Sequence, residues 1–307
     1  MKLYQNKNNK LNLVSGLQFK LEKEIQNLVE NNVNELFGLK FIKSELTVKN
    51  FRIDTLCYDH ENKSFVIIEY KRDRNFSVID QGYTYMSLLL NNKSDFILEF
   101  NESGKETLKR DEVDWSQSRV IFIAPGFTEF QKHSINFKDV PFELWEVNQF
   151  ENNLVGFSQH KTESKESIST ISSQNSSIIT EITKEVTVYS EQDHLYARKK
   201  DERVIEMYTA LKKRVVELGD EVEMVPKKHY ISFKSSKTFC DFIIFRDHIK
   251  LLLNLKKGEL DDPKGLTKDL SNQGHWGNGD YEIWINIGDD LDYTMFLVGQ
   301  SYKKHRI

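Results

Sequence analysis

The stretch Phe51 to Lys71, FRIDTLCYDHENKSFVIIEYK, decides how the first half of the chain is read. Ile53 to Tyr58 and Phe65 to Tyr70 are rich in β-branched and aromatic residues, which favour strands. Between them the polar run Asp59-His60-Glu61-Asn62-Lys63-Ser64 suits a turn. A hairpin symmetric about that run sets Tyr58 opposite Phe65, Leu56 opposite Ile67 and Asp54 opposite Glu69. Directly opposed residues on an antiparallel pair have Cβ atoms roughly 5 Å apart. Lys71 follows Glu69 by two and points to the same face. Leu56 and Ile67 would floor that face. Two opposed acids destabilise a bare sheet, and a cation between them removes the penalty. Two carboxylates and a lysine at one point are the parts that hold a hard divalent cation beside a water. The plainer reading is an accidental hairpin with solvated charges.

The flanks extend the pattern. Upstream, Leu21, Ile25, Leu28, Val29, Val33, Leu36 and Phe37 recur at helical spacing, which predicts a helix over Leu17 to Phe37 with Gly38 as its stop. Glu22 and Glu24 lie on it. Downstream, VIDQGYTY begins a second helix, from Val78 to about Leu90. Gln81 and Tyr85 are four apart and share one helical face. The plainer reading leaves the glutamates solvated, Gln81 on the surface and Tyr85 in the core.

Asp54, followed by Glu69-Tyr70-Lys71 at the end of an apolar strand, resembles the PD-(D/E)XK nuclease superfamily. RIDTL followed by VIIEYKR is similar to a bacterial and archaeal branch of uncharacterised nuclease-like proteins, with Ile53 where a proline usually stands. The resemblance implies that Asp54 and Glu69 bind Mg²⁺, with Mn²⁺ as a substitute, and that Lys71 orients or activates the attacking water. It implies a further metal-reaching glutamate on the preceding helix: Glu24 is the first choice and Glu22 the second. Gln81 and Tyr85 resemble the Q-x-x-x-Y element of RecB-like nucleases, which borders the pocket and contacts the substrate strand. Lys71, Arg72 and Arg74 cluster beside the site, with Lys40, Lys43 and Lys49 on the preceding segment, and these are candidate phosphate contacts. Each taken singly is more often a solvated charge.

The expected activity is Mg²⁺-dependent hydrolysis of phosphodiester bonds, in DNA before RNA and endonucleolytic before exonucleolytic, in restriction, defence or repair. The alternative is a nucleic-acid or nucleotide-binding protein that keeps the nuclease fold without cutting. A homodimer is expected, because two-strand cutting with one site per chain commonly uses a two-fold pair.

Composition sets outer bounds. The chain has 307 residues, enough for about two cores, and is 38% hydrophobic. No apolar run approaches membrane length, and MKLYQNKNNK lacks the apolar centre of a signal peptide. The expected location is cytoplasmic, with no membrane partner. Cys57 and Cys240 lie in separate apolar strands and read as buried thiols. No Cys/His cluster supplies four zinc ligands. A net charge of −4 does not mark a nucleic-acid binder, but local clusters matter more than the sum.

The rest of the first domain, residues 1–157, reads as a strand at Phe41 to Val48, a strand at Arg119 to Pro125, a helix at Thr128 to Phe137 and a strand at Phe142 to Val147. With the helices above, this gives an α/β, restriction-endonuclease-like domain: a mixed sheet flanked by helices. Residues 158–192 are rich in Ser, Thr, Gln, Glu and Lys, a linker composition. Residues 193–307 read as a smaller α+β domain. A helix spans Asp201 to Leu218. Strands follow at Val222 to Val225, His229 to Phe233, Thr238 to Phe245, His248 to Leu255 and Tyr281 to Ile287. A last helix runs from Leu291 to Lys303. Through YISF, GHWGNGD and QSY this half resembles a C-terminal domain of unknown function found on nuclease-like and restriction-associated proteins. It is a candidate for substrate or partner recognition. Gly274 to Asp280 precedes a strand and lacks a P-loop lysine, so it reads first as a glycine turn, with a ligand contact through His275 and Trp276 as the alternative. Tyr230, Phe233 and Trp284 read as core.

Overall fold

The computed structural model describes residues 2–72, 77–162, 164, 166–168, 182, 184–196, 200–272 and 277–306. Arg74, His275, Trp276 and much of the expected linker lie outside the described residues. The chain divides into two compact units, Met1–Val188 and Tyr189–Ile307.

The first unit contains β1 (Leu3–Lys7), β2 (Lys10–Val14), β3 (Gly16–Leu17), α1 (Glu22–Glu30), α2 (Val33–Phe37), β4 (Lys40–Val48), β5 (Phe51–Asp59), β6 (Ser64–Tyr70), α3 (Val78–Asn91), α4 (Lys93–Glu102), β7 (Arg119–Ala124), α5 (Glu129–Ser134), β8 (Phe142–Phe150) and β9 (Leu154–His160). Its main sheet runs β3-β8-β7-β6-β5-β4, with β9 also paired to β8. β4, β5 and β6 are antiparallel neighbours, while β6–β7 and β7–β8 are parallel. Parallel neighbours need crossover connections, supplied by α3 with α4 and then by α5. Every residue of β6 is buried, as a continuous apolar run in a sheet covered on both faces should be. Leu56, Ile67 and Phe122 pack with Met86, Leu89 and Phe96 on one face. Cys57, Val66 and Ile68 pack with Ile25 and Val29 on the other. The mixed sheet flanked by helices matches the architecture expected of this half.

Two boundaries differ from the sequence reading. The single helix over Leu17 to Phe37 is two helices, and Leu17 belongs to a strand. Asn31 and Asn32 break the run, with Asn32 Nδ2 donating to the Leu28 carbonyl at 2.8 Å. Asparagine side chains compete for backbone groups in this way. Gly38 does end α2, in the left-handed region at φ 67°. β9 carries the first unit past residue 157, pairing Phe157 with Val147 and His160 with Leu144. The backbone ladder orders Ser158, Gln159 and His160, polar residues that composition alone assigns to the linker.

The second unit contains α6 (Glu191–Tyr196), α7 (Glu202–Val216), β10 (Glu223–Pro226), β11 (Ile231–Lys234), β12 (Thr238–Ile244), β13 (His248–Leu253), β14 (Lys268–Asp269), β15 (Tyr281–Asn286) and α8 (Leu291–His305). Its antiparallel sheet runs β10-β11-β12-β13-β15-β14. Val204, Leu211, Leu297 and Val298 from the helices pack on Phe233, Phe242, Leu251 and Ile283. Asp201 and Asp290 cap α7 and α8 with side-chain acceptors. Tyr230 and Phe233 are core, as expected, but Trp284 is 51% exposed. Both cysteines are free and buried, and burial pushes both thiols up from their ordinary range. Among the described residues no helix is long and apolar enough to cross a membrane.

Candidate active site

The hairpin β5–β6 has the register read from its turn: Tyr58 pairs with Phe65 and Leu56 with Ile67. The last ladder pair is Thr55–Ile68, and Asp54 and Glu69 are the next positions along. Asp54 is half-buried, and its Oδ2 accepts from the Tyr70 amide at 3.2 Å. Glu69 is only 3% exposed. Its Oε1 accepts from Lys71 Nζ at 2.7 Å and from Gln81 Nε2 at 2.7 Å. Its Oε2 is buried and makes no hydrogen bond among the described residues. A buried carboxylate oxygen without a donor is costly.

Charge follows from that burial. Burial, then the nearby charge of Asp54, push the Glu69 carboxyl up to about 7 against the pull of Lys71 and of the Tyr85 hydroxyl. Burial also raises Asp54, with Glu22 adding to the rise, while the Tyr70 amide, Lys71 and Arg52 pull the other way. Two acids held together in low dielectric resist ionising side by side.

The structure brings Asp54, Glu69, Lys71 and Gln81 together. Tyr85 is buried beside them: its hydroxyl accepts from Gln81 Nε2 at 3.2 Å and donates to the Arg52 carbonyl at 3.2 Å. Gly82 lets α3 approach β8, because a Cβ there would lie 2.6 Å from the Phe142 ring.

The two helical glutamates meet different partners. Glu24 Oε2 accepts from the Lys20 amide at 2.8 Å, tying it to the start of its own helix. It lines a recess with Leu17, Phe19, Leu28 and Val155. Glu22 Oε1 accepts from the Arg72 amide at 3.0 Å, just past Lys71, and its charge is felt at Asp54. Arg72 Nη1 donates to the Lys20 carbonyl at 3.1 Å. Lys40 and Lys43 pair with Glu106 and Glu99, at 3.1 and 2.6 Å. Lys49 is exposed at the β4–β5 turn.

A polar network behind the hairpin escaped sequence reasoning. Gln26, 4% exposed, has its Nε2 within hydrogen-bond distance of the Asp54 carbonyl at 3.0 Å, Ser44 Oγ at 3.0 Å and Glu30 Oε1 at 2.9 Å, three oxygens that share its two N–H donors. Thr55 donates to Glu30 at 2.6 Å and lies 3.0 Å from the Tyr70 hydroxyl. These bonds fix both strands from the face opposite the acids. The available signal was Gln26 and Glu30, four apart on the apolar face of an otherwise amphipathic helix.

Among the described residues no three His, Cys, Asp or Glu side chains form a metal-holding group. Asp54 and Glu69 offer two carboxylates, one with a buried oxygen that meets no donor among the described residues. That suits Mg²⁺, which is commonly held by one or two carboxylates, with waters and substrate phosphates completing the shell.

Comparison with known proteins follows the same division. Residues 192–305 match a domain of unknown function, DUF5655. An uncharacterized protein of Haemophilus influenzae is 46% identical over 304 residues, spanning 99% of this chain and 100% of its own. Among solved structures, an EndoMS complex with double-stranded DNA is 20% identical, covering 42% of this chain and 47% of that one, with a TM-score of 0.29. A repair endonuclease from Pyrococcus abyssi is 20% identical, covering 43% and 49%, with a TM-score of 0.26. SfsA from Pyrococcus furiosus in complex with Ca²⁺ is 16% identical, covering 45% and 61%, with a TM-score of 0.25. The chain spans about half the length of the first two. Likeness at this level carries no argument about the reaction.

Proposed function

The chain belongs to the same family as the Haemophilus influenzae protein, and we propose that it is a divalent-metal-dependent nuclease acting on DNA. The observation that carries the reading is the buried Glu69 Oε2, which has no donor among the described residues, beside Asp54 and with its partner oxygen held by Lys71 and Gln81. An arrangement kept only for stability would satisfy that oxygen.

Asp54 and Glu69 would hold Mg²⁺, or Mn²⁺ in its place; when bound, the ion polarises the scissile phosphate and lowers the pKa of a coordinated water. The remaining roles belong to the chain. The Tyr70 amide orients the Asp54 carboxylate, and Gln81 with Lys71 orients Glu69. Lys71 keeps a positive charge where negative charge grows as water adds to phosphorus and the P–O bond to the leaving oxygen breaks. Glu22, through Arg72, closes the acidic end of the site more directly than Glu24. Arg72 and Arg74 are assigned to flanking phosphates. Two copies related by a two-fold axis would cut both strands of a duplex.

The test is cleavage of supercoiled and linear double-stranded DNA in Mg²⁺ by wild type, Asp54→Ala and Lys71→Ala. Each substitution is expected to lower the rate about a thousandfold or more while circular dichroism and thermal unfolding stay near wild type. Undiminished cleavage by both variants overturns the mechanism. Cleavage of RNA but not DNA overturns the substrate.

A further inference from the structure

The helices of the second unit pack on one face of its sheet, where Ile249, Leu251, Ile283 and Ile285 are buried. Side chains alternate along strands, so His248 and Lys250 on β13 and Glu282 and Trp284 on β15 point to the other face. Lys268 of β14 pairs with Glu282 and shares that face. Phe245, at the β12–β13 turn, joins His248 and Trp284 in a set of parallel rings. The Phe245–His248 and His248–Trp284 centroids are each 4.6 Å apart, with interplanar angles of 11° and 7°. The outer rings are open: Trp284 is 51% and Phe245 38% exposed.

This platform is fixed rather than loose. Trp284 Nε1 donates to Glu282 Oε1 at 2.6 Å, and Lys250 Nζ pairs with Glu282 Oε2 at 2.8 Å. The Lys250 ammonium lies 5.2 Å from the Trp284 ring centroid. Glu282 is itself 4% exposed, so a buried carboxylate sets the orientation of a solvent-exposed indole. His248 Nδ1 lies 2.8 Å from Asp247, and its Nε2 makes no hydrogen bond among the described residues. A flat, pre-oriented aromatic surface flanked by cations matches a base with its neighbouring phosphates.

The geometry points to this face as a binding site for an unpaired stretch of nucleic acid. One base stacks on the Trp284–His248–Phe245 platform, and Lys250 and Lys268 meet the adjoining phosphates. Base–aromatic stacking is tolerant of sequence because every base has a π-face. The acidic pair of the first unit plays no part in this inference. Its test is read in chelator, where no metal-dependent cutting occurs, so the two readings fail separately.

The experiment uses the full chain in EDTA with a fluorescein-labelled 12-nucleotide single-stranded DNA, followed by anisotropy. Trp284→Ala is expected to weaken binding about tenfold or more, and Phe245→Ala by a smaller factor. Trp284→Phe, which keeps a ring, should stay within about threefold of wild type. Thermal unfolding of each variant confirms that the fold is kept. Wild-type affinity in Trp284→Ala overturns the site, as does failure of the wild type to bind the oligonucleotide. A duplex of the same sequence that binds as tightly and loses as much with Trp284→Ala overturns the assignment to unpaired strands. Free dAMP binding as tightly as the 12-mer does the same in favour of a mononucleotide.

Discussion

Each unit buries acids on the strands of its sheet, and the two sets are treated differently. In the second unit Asp241 is fully buried, yet its oxygens accept from Ser232 Oγ at 2.7 Å, the Asn278 amide at 2.6 Å and Asn278 Nδ2 at 3.0 Å. At Glu282 burial alone would raise the carboxyl, but Lys250 and Trp284 together hold it below the usual range. In the first unit Glu69 keeps one oxygen without a donor among the described residues and is pushed up to about 7. A satisfied buried acid organises its surroundings. An unsatisfied one stores a cost that a bound cation relieves. The contrast separates a structural acid from a candidate ligand on local geometry alone.

The strongest test of that contrast is Asp241→Ala. It leaves the Ser232 hydroxyl and two Asn278 donors without their acceptor in a closed site. Asp241 also anchors the turn at Gly277 to Asp280, where Gly277 and Gly279 have φ of 93° and 84°. A Cβ at Gly279 would lie 2.0 Å from the Leu253 carbonyl, so the backbone of this turn is pressed onto β13 and turned toward a protein acceptor. That accords with the glycine-turn reading over the phosphate-loop reading for the described part of the segment. The expected loss is about 3 kcal/mol, measured as a fall in the urea midpoint or Tm of the full chain. A variant as stable as wild type would remove the structural half of the comparison.

Glu69→Gln should move stability the other way, in metal-free protein. A folded-state pKa of about 7 against an ordinary value of 4.5 means that the native state holds this proton more tightly than the unfolded chain. Stability from this group is therefore present below about pH 4.5 and is lost as pH rises through 7. The loss is about 2–3 kcal/mol between pH 5 and pH 8 for an isolated group, and Asp54 shares part of it. With EDTA present, Glu69→Gln is expected to match wild type near pH 5 and to exceed it by about 2 kcal/mol at pH 8. Adding Mg²⁺ at pH 8 should stabilise wild type and leave the variant unmoved, because only the ionised carboxylate gains a partner. Denaturant midpoints at the two pH values, with and without Mg²⁺, decide it. A wild type whose stability does not fall with pH would show that Glu69 is not held at a cost.

How much of this was legible in sequence depends on the range of the signal. The hairpin register was legible because a six-residue polar run fixes the turn and every pair follows from symmetry about it, down to Leu56–Ile67. Gly38 as a stop and the strand at Arg119–Ala124 were legible for the same local reasons. Which of Glu22 and Glu24 meets the Arg72 amide was not. Two residues differ by about 200° around a helix, and which side faces the hairpin depends on how Phe19 and Ile25 seat α1 in the core. Strands β3 and β9 were invisible because their residues are mostly exposed and show no alternation. Trp284 was legible and misread. In Tyr281-Glu282-Ile283-Trp284-Ile285-Asn286 the alternation puts the indole with Glu282, opposite the two buried isoleucines. Weighting the residue type above its phase sent it to the core.

The smallest expected effect concerns Tyr85, where the two units' lesson can be applied inside one site. The Q-x-x-x-Y resemblance has this tyrosine touching the substrate strand. The structure has it 5% exposed, with its hydroxyl donating to the Arg52 carbonyl and accepting from Gln81. Both bonds are to protein, as at Asp241, so Tyr85 reads as a brace that sets Gln81 and, both directly and through it, Glu69. Tyr85→Phe keeps the ring and removes about 1 kcal/mol of hydrogen bonding, seen as a small fall in Tm. Because Gln81 keeps its 2.7 Å bond to Glu69, the rate should fall only a fewfold and KM for DNA should stay within about twofold. A rise in KM of tenfold or more at unchanged stability would instead place the hydroxyl on the substrate strand, and would require the helix to move from its present packing when DNA binds.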